Sequence, residues 1–444
     1  MGGGLAGIAA ALDCAESGAA VTVLESRGRL GGAAYSFVRD GIVADNGQHV
    51  FLRCCTAYRE LLDRIGASNM VTLQPRLSIP VLAPGGQIAW LRRSDLPAPL
   101  HLAGALARYR FLGVGQRLSL ARAMTALRGV DPDDPAADAR SFGDWLSEHG
   151  QGPEAVQSMW ELIARPTLNL IASDASLAQA AYVFQQGLLR DTAAGDVGYA
   201  HVALGQIHDV AARRALARAG VDVRLRWGAT AIVPGHDGLR VEINGVPPLT
   251  ADAVILAVSH DRAARLLPPG SGVDRARLAR LGTSPIVNLH VVYDRHVFDH
   301  PFAAGVRTPV QWVFDRTQAA GVERGQYLAV SLSAADAELD MTVSDLRARF
   351  LPALTELLPA AREARVESFF VTREHAATFR TAPGARALRP GPGTAIPGLL
   401  LAGAWTDTGW PATMEGAVRS GRAAAREALA TPVREPHLGA AVAV

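Results

Sequence analysis

The sequence contains no lysine: all 44 of its basic residues are arginines, set against 42 acidic residues in a chain of 444. This absence excludes a Schiff-base lysine, a P-loop lysine and a lysine general base. The formal net charge of +2 leaves no basic excess that could track a phosphate backbone. We therefore expect no nucleic-acid partner.

Cysteine is scarce, and long apolar runs are missing. The three cysteines, Cys14, Cys54 and Cys55, cannot build a disulfide framework, and the adjacent pair fits neither a zinc site nor a C-x-x-C redox motif. We predict no metal site. No apolar run reaches the roughly 18 residues of a membrane span, and the N-terminus has no signal-peptide pattern. We expect a cytoplasmic protein of two or three domains that does not span a membrane.

The strongest local signal lies in the first 25 residues. Residues 2–7 satisfy G-x-G-x-x-G, a small apolar helix is predicted over 8–14, and a valine-rich strand is predicted over 20–24. Glu25 ends that strand, 18 residues after the last glycine of the motif. This spacing is typical of a dinucleotide-binding fold, in which the glycines and the helix N-terminus receive a pyrophosphate and the acid binds a ribose.

The strand that normally precedes such a motif is missing, because Met1 directly precedes Gly2. That strand usually lies in the middle of a parallel sheet, so its absence predicts a gap with unpaired neighbours. We expect the natural chain to begin several residues upstream.

Further along, apolar patterns predict a helix near 56–65, a buried strand at 253–258, strands at 286–293 and 327–332, a strand at 398–403 and a helix at 414–429. The segment 96–127 is helical in pattern and interleaves leucine, alanine and phenylalanine with arginine. It predicts either an ordinary surface helix pair or a basic amphipathic surface that enters a membrane.

Three segments together resemble the FAD-dependent amine oxidase and phytoene desaturase superfamily. They are G-x-G-x-x-G at 2–7, ESRGRLGG at 25–32, and Ala402-Gly403 followed by MEGAV at 414–418. The resemblance implies an α/β fold with a Rossmann-type FAD-binding domain, whose first strand is missing here, and a discontinuous α+β substrate domain. The implied FAD-binding domain comprises residues 1–80, 196–275 and 390–430, and the substrate domain comprises 81–195 and 276–389. Residues 431–444 are predicted to be a tail.

Within the superfamily, the chain most resembles the squalene-associated hydroxysqualene dehydroxylases of hopanoid biosynthesis. The segments that carry this resemblance are DNGQHVF at 45–51, WEL at 160–162 with PTLN at 166–169, QWVFDR at 311–316 and WTDTGWPAT at 405–413. The resemblance implies FAD as cofactor and a long-chain isoprenoid substrate, hydroxysqualene, whose allylic hydroxyl is replaced by hydrogen. The electron donor for the flavin is not identified by the sequence.

The resemblance implies a role for each residue that matches a motif of the family. The residues that contact FAD would be Gly2, Gly4, Leu5, Ala6, Gly7, Glu25, Ser26, Arg27, Gly31, Gly32, Gly47, Gln48, Ala229, Gly403, Ala404, Thr413 and Met414. His49 and Asp407 are the candidates for the acid that protonates the leaving hydroxyl, because their matched loops approach the flavin. Two positions depart from the family: Ala33 replaces a frequent arginine, and Ala404 replaces a frequent acid.

Other readings remain open at this stage. The absence of lysine and of an aromatic residue at Thr413 argues against amine oxidation, but a carotenoid-type desaturase would share both absences. The chain could instead be an inactive flavin-binding partner, and an NAD dehydrogenase conflicts with the C-terminal motif. A C30 substrate held in a bilayer favours peripheral attachment to the inner face of the membrane through 96–127.

Overall fold

The computed structural model describes residues 1–430. Its α-helices are α1 Leu5–Glu16, α2 Thr56–Ile65, α3 Ala103–Ala107, α4 Val114–Leu127, α5 Pro135–Asp138, α6 Phe142–Glu148, α7 Pro153–Ala155, α8 Glu161–Leu168, α9 Leu177–Phe184, α10 Ala212–Arg218, α11 His260–Leu266, α12 Arg275–Ala279, α13 Thr317–Ala320, α14 Asp336–Leu339, α15 Val343–Leu357 and α16 Met414–Ala430. Wider π-helical turns are formed by Val156–Trp160, Gln185–Leu189 and Gln206–Ala211.

The strands are β1 Thr22–Glu25, β2 Ser36–Arg39, β3 Ile42–Asp45, β4 Val50–Leu52, β5 Val71–Leu73, β6 Ser78–Ala83, β7 Gln87–Arg92, β8 Val197–Ala200, β9 Asp222–Leu225, β10 Ala229–Gly235, β11 Gly238–Ile243, β12 Val246–Ala251, β13 Val254–Leu256, β14 Ser284–Tyr293, β15 Phe302–Gly305, β16 Trp312–Asp315, β17 Gln326–Ser333, β18 Val366–Thr378 and β19 Leu399–Leu401. The predicted mixed α/β architecture is confirmed.

Two parallel strand pairs lie beside the N-terminal motif. β1 pairs with β9, and β13 pairs with β19. The first two residues lie between these pairs: the amine of Met1 donates to Ile255 O, Met1 O accepts from Ala257 N, and Gly2 N donates to Leu24 O, each at 2.7 Å. Residues 1–2 thus occupy the position between β1 and β13, and no strand of the described chain precedes α1. The upstream start stays a prediction.

A seven-stranded mixed sheet forms the other large layer, in the order β18-β14-β17-β16-β15-β6-β7. Its longest pairings are antiparallel, and β15 with β6 is its parallel pair. One face is apolar and packs against α15, through residues such as Val287 and Leu289 of β14 and Phe350 of the helix. Successive side chains of β14 therefore point to opposite faces of the sheet, as the two-residue period of a β-strand requires.

The opposite face of β14 turns toward the N-terminal part of the chain. Val292 of this face packs with Ala44 of β3, and the polar side chains of Asn288 and His290 are fully buried on it. This sheet face therefore covers the loop that follows β3.

The hydrophobic cores fall into two groups of segments. The first group consists of buried residues from three segments, 5–73, 200–281 and 399–425, together with Phe379. The second group consists of buried residues from 77–197 and 287–361, together with Phe370. Ala44 of β3 also packs with the second group. The functional assignment of these segments as FAD-binding and substrate-binding domains stays a prediction. The predicted tail, 431–444, lies outside the described residues.

The segment 96–127 is less regular than its pattern predicts. α3 and α4 are separated by residues 108–113, where Tyr109, Phe111 and Leu112 turn into the core and are almost fully buried. The helix restarts at Gly113, whose amide donates to the Gln116 side chain. Burial of three large side chains outweighs continuation of the helix here. Across residues 1–430 we find no helix with the length and apolar character needed to traverse a bilayer.

Candidate functional site

The glycine loop, residues 2–7, is shaped both by packing and by open space. A Cβ on Gly2 would lie 2.2 Å from Ala257 O, and one on Gly7 would lie 1.9 Å from Gly2 O, so the fold itself requires glycine at both positions. A Cβ on Gly4 would meet only Gly32 Cα, at 3.7 Å. Gly4 therefore borders a space that the protein's own atoms leave free, as a pyrophosphate requires.

The N-terminus of α1 opens onto the same space. Gly4 is its N-cap, no side chain in the described part of the chain caps it, and its first turn carries no acid. The helix begins with Leu5, Ala6 and Gly7, all buried. Unpaired first-turn amides and the positive end of the helix dipole suit a phosphate.

Glu25 lies against the glycine loop with its carboxylate buried. Its Oε2 accepts from Gly3 N at 2.7 Å, and its Oε1 accepts from Arg27 N at 2.7 Å and from Ser26 Oγ at 3.2 Å. An open groove of about 670 Å³, lined by Ser26–Arg29, begins beside it. The orientation of the carboxylate is fixed by backbone amides, and the groove has room for a nucleoside.

Ala229 lies near the same end of the site. Trp227 N donates to Glu25 O at 2.9 Å, and Arg226 N donates to Arg27 O at 3.0 Å, so the chain that leads into β10 runs beside Glu25–Arg27. Ala229 therefore follows two residues after a segment that lies against the predicted adenosine end, and its contact with FAD stays a prediction.

The paired glycines connect the glycine loop to the next part of the site. Gly31 and Gly32 both have positive φ, and a Cβ on Gly32 would lie 2.9 Å from Gly4 Cα. Arg29 donates to Gly32 O at 3.1 Å while its guanidinium lies over the Tyr35 ring. An arginine side chain is therefore present beside the glycine pair, although Ala33 itself offers none.

The 46–49 loop is held against the residues that follow this glycine pair. Asn46 donates from Nδ2 to Ala33 O at 2.9 Å, accepts at Oδ1 from Tyr35 N at 3.0 Å, and donates its backbone N–H to Tyr35 O at 2.9 Å. Its Nδ2 also lies 3.0 Å from Oε1 of Glu374, a residue of β18. Asn46 thus positions Gly47, Gln48 and His49 at the junction between the glycine loop and the large sheet.

His49 is a half-buried histidine in this loop. Burial lowers its pKa below the usual value, an effect that the bond of Nδ1 to Gly47 O, at 3.2 Å, and the nearby Asp45 carboxylate oppose. The carbonyl partner places the proton on Nδ1 and leaves Nε2 as an acceptor in the neutral ring. Asp45 itself is paired with the buried Arg316 at 2.8 Å.

A second histidine, His208, is fully buried beside the glycine pair. Its Nε2 contacts the Tyr58 hydroxyl at 2.9 Å, and its Cβ is 3.1 Å from the position a Cβ would take on Gly31. Burial, reinforced by the charge of His49, lowers the pKa of His208 to about 3. His208 is therefore neutral at every physiological pH.

Two buried amide atoms near the 46–49 loop have no hydrogen-bond partner within residues 1–430: Nε2 of Gln48, a donor, and Oδ1 of Asn288, an acceptor. Buried polar atoms are normally paired, so each indicates a group that the protein chain does not supply. The ring of FAD carries both carbonyl and N–H groups along one edge. The free space at Gly4 and these two atoms fit FAD at its pyrophosphate and at its ring.

The loop that follows the C-terminal strand β19 lies beside the free space at Gly4. Gly403 has φ +140° and donates to Ser420 Oγ at 2.8 Å. The loop after it is held by Arg389, which is buried and donates to the carbonyls of Ala404, Thr406 and Trp410. Burial lowers the pKa of Arg389 to about 10. Ala404 thus contributes a backbone carbonyl to this loop, where relatives have an acid.

Asp407 lies on the outer side of this loop. Its side chain is 35% exposed, its Oδ2 is 3.8 Å from Arg386, and its Oδ1 accepts from Gly409 N at 3.2 Å. Its contacts are therefore those of a loop-stabilising residue. The structure brings His49, but not Asp407, into contact with the buried groups of the site.

Thr413 and Met414 lie at the start of α16. Thr413 Oγ1 accepts from Gly416 N at 3.1 Å, which is the bond of an N-cap, and the helix begins at Met414. The next residue, Glu415, is buried and accepts from Ala57 N and Tyr58 N at the start of α2. The amide end of α16 is thereby fixed relative to α2 and suits negative charge on a ligand.

Sequence reasoning missed Asn288, Arg389, His208 and Glu374. One signal for Asn288 was present, because it interrupts the apolar run of β14 in the predicted strand 286–293, and a polar residue in a buried strand needs a partner. We find no group of three or more potential metal ligands in the part of the chain that the structure describes.

Comparisons with known proteins identify the family of the chain. A family model described as flavin containing amine oxidoreductase matches residues 5–429. The chain is 30% identical to a hydroxysqualene dehydroxylase of Rhodopseudomonas palustris, over 97% of each chain, and 24% identical to a zeta-carotene desaturase of Zea mays, over 95% of this chain and 81% of the relative. An oxidoreductase structure from Methanosarcina mazei, 16% identical, superposes with a TM-score of 0.72 over 95% of this chain and 97% of that one. The chain belongs to the flavin-containing amine oxidoreductase family and is an FAD-dependent oxidoreductase.

Proposed function

We propose that the protein reduces hydroxysqualene to squalene by replacing the allylic hydroxyl with hydrogen, as a step of squalene and hopanoid biosynthesis. The observation that carries the proposal is the similarity to a protein named hydroxysqualene dehydroxylase, at 30% identity over 97% of both chains. A second relative of that name, from Sinorhizobium fredii, is 27% identical over 97% of each chain. The carotene desaturases reach 24–25%.

Loss of an allylic hydroxyl requires a proton on the leaving oxygen and a hydride for the carbon left behind. Reduced FAD would supply the hydride. The protein must supply the proton and keep water from the carbocation. Amine oxidation is disfavoured because the chain has neither a lysine nor an aromatic residue at Thr413, both of which its resemblance to the superfamily assigns to many amine oxidases.

His49 and Asp407 are our two candidates for the proton donor. His49 is favoured by its position beside Gln48 and Asn46 and by an Nε2 that becomes a donor only when the ring is protonated. Its lowered pKa makes the protonated ring a strong acid that is scarce at neutral pH. Asp407 would have to act from its exposed loop, beside Arg386.

A carotenoid-type desaturase is the alternative activity, and an inactive flavin-binding partner is the second. Both share the FAD-binding features described above. A desaturase differs from a dehydroxylase in the direction of electron flow. A desaturase removes hydride from its substrate and therefore works with oxidised flavin, whereas dehydroxylation consumes reduced flavin.

We also propose that the 96–127 segment attaches the protein to the inner face of a membrane, from which a long isoprenoid would be drawn. The segment carries four exposed large apolar side chains, Leu96, Leu100, Val114 and Leu118. Residues 96–130 contain five arginines and no acid. Apolar side chains and unopposed positive charge together suit an anionic lipid surface.

The dehydroxylation proposal is tested by incubating the chemically reduced protein anaerobically with hydroxysqualene and measuring squalene by mass spectrometry. The proposal predicts squalene formation. Absence of squalene from a flavin-loaded protein that desaturates phytoene or zeta-carotene would favour the alternative.

Membrane attachment is tested by co-sedimentation with anionic liposomes, comparing wild type with Leu96→Ser/Leu100→Ser/Val114→Ser/Leu118→Ser. Equal recovery of both proteins in the supernatant would refute the proposed attachment.

A further inference from the structure

Asn288 lies in the middle of β14 and is completely buried. Its neighbours Val287 and Leu289 belong to the core against α15, so its own side chain points to the opposite face of the sheet. On that face its Nδ2 donates to Asn46 O at 2.9 Å. Because a carbonyl oxygen can only accept, this bond fixes the orientation of the amide and leaves Oδ1 as the free atom.

The free atom is an acceptor without a donor. Oδ1 of Asn288 is buried and has no hydrogen-bond partner among residues 1–430. A desolvated carbonyl without a partner destabilises the fold, so a strand that retains one gains from a group outside the chain. Asn288 contacts the 46–49 loop, which is itself anchored to Ala33 and Tyr35 beside the paired glycines.

We propose that Asn288 is a positioning residue for the flavin: its Oδ1 accepts a hydrogen bond from an N–H of the FAD ring while Nε2 of Gln48 donates to a ring carbonyl. The two unpartnered atoms have opposite hydrogen-bonding character, as an edge of alternating N–H and C=O groups requires. Since the chain has no lysine, the ring meets an uncharged amide on this face of the sheet rather than a cationic amine.

The inference requires only that the protein binds FAD. It can therefore fail while the dehydroxylation proposal holds, and it can hold if the substrate proves to be another isoprenoid.

The test compares Asn288→Leu, which keeps the branching of the side chain but removes the acceptor, with Thr372→Val. Thr372 Oγ1 donates to the same Asn46 carbonyl, at 3.3 Å, so its removal loosens the 46–49 loop without removing an unpartnered acceptor. We expect about fivefold to tenfold weaker FAD binding to apo Asn288→Leu by fluorescence titration, and wild-type affinity for Thr372→Val. Equal loss in both variants, or none in Asn288→Leu, would overturn the proposal.

A second measurement covers poor folding of the leucine variant. Asn288→Asp keeps an acceptor at the same place, and at alkaline pH, where the buried carboxyl that faces Asn46 O loses its proton, it also adds negative charge. At that pH the holoprotein should have a lower flavin reduction potential than wild type because the reduced ring carries more negative charge. An unchanged potential and unchanged flavin absorption spectrum in this variant would contradict contact with the ring. Neither readout depends on turnover of a substrate.

Discussion

The two halves of the FAD site are built in different ways. The predicted pyrophosphate half lies within residues 2–32, so that Gly4, Gly32 and Glu25 come together within one stretch of chain. The predicted ring half joins the 46–49 loop, through Asn46, to Asn288 of β14 and Glu374 of β18, which lie more than 200 residues further along the chain. A site coded within one segment leaves a motif in the sequence, whereas a site assembled from distant strands leaves only isolated polar residues.

We expect the largest effects from two glycine substitutions in the predicted pyrophosphate half, which distinguish a glycine required by the fold, Gly7, from a glycine required by the cofactor, Gly4. Gly7→Ala places a Cβ 1.9 Å from Gly2 O, so we expect it to destabilise the protein by about 3 kcal/mol even without FAD. Gly4→Ala meets no protein atom closer than 3.7 Å, so the apoprotein should keep its stability while FAD binding weakens about 100-fold. Denaturant unfolding of both apoproteins and FAD titration give the comparison; full FAD affinity in Gly4→Ala would place the pyrophosphate elsewhere.

In the ring half, replacing the proposed acid should affect turnover rather than cofactor binding. We expect His49→Gln to lower kcat about 100-fold and Asp407→Asn to lower it only a few-fold, with FAD retained in both. Because the protonated ring is the active form and burial lowers its pKa, kcat should fall as pH rises through a value below 6.5. A larger loss in Asp407→Asn, or a profile that is flat between pH 5 and pH 7, would remove His49 from this role.

The buried histidines around the ring half should make the whole fold sensitive to acid. Burial lowers the pKa values of His208 and His290 to about 3, so both are neutral in the folded protein but gain protons on unfolding below pH 6.5. Stability is therefore present at neutral pH and is lost as pH falls. At pH 5 each histidine should cost about 2 kcal/mol relative to pH 7.

Urea unfolding at pH 7 and pH 5 measures this loss. The exposed His375 provides the control, since His375→Gln should leave the difference between the two pH values unchanged. Equal stability of the wild type at both pH values would show that the two rings are not held neutral.

The smallest effect we expect is at the adenosine end. Glu25→Gln keeps the shape of the side chain and one acceptor oxygen, so the loop geometry at Gly3 should persist while the charge that favours ribose hydroxyl donors is lost. We expect roughly tenfold weaker FAD binding. Arg224→Gln, an exposed change on the neighbouring strand β9, is the matched control and should bind FAD as wild type does.

The sequence predicted most of the fold because its strongest patterns are local. Helix α2 begins and ends at the predicted residues 56 and 65, and the strands at 254–256 and 399–401 lie inside the predicted apolar runs. The break between α3 and α4 was not predicted, because Tyr109 and Phe111 fit a helical pattern in the sequence. In the structure both side chains are buried in the core, and the helix is interrupted there. The residue-level FAD contacts remain predictions, although the glycine loop and Glu25 have the geometry that they require.

The ring half could not be predicted in the same way. Asn288 and His208 acquire their roles from Asn46 and Tyr58, partners far away in sequence. Arg389 acquires its role from the 404–410 loop, 15 to 21 residues further along the chain. No local period encodes such contacts. Of these three residues, Asn288 alone left a visible trace, as an amide within a mostly apolar strand.

The most direct test of the account is a single turnover without any external electron donor. Protein loaded with reduced FAD is mixed anaerobically with hydroxysqualene, and flavin oxidation is followed optically while squalene is quantified. The account predicts one squalene for each flavin oxidised, at the same rate. Flavin that stays reduced beside unchanged hydroxysqualene would contradict it.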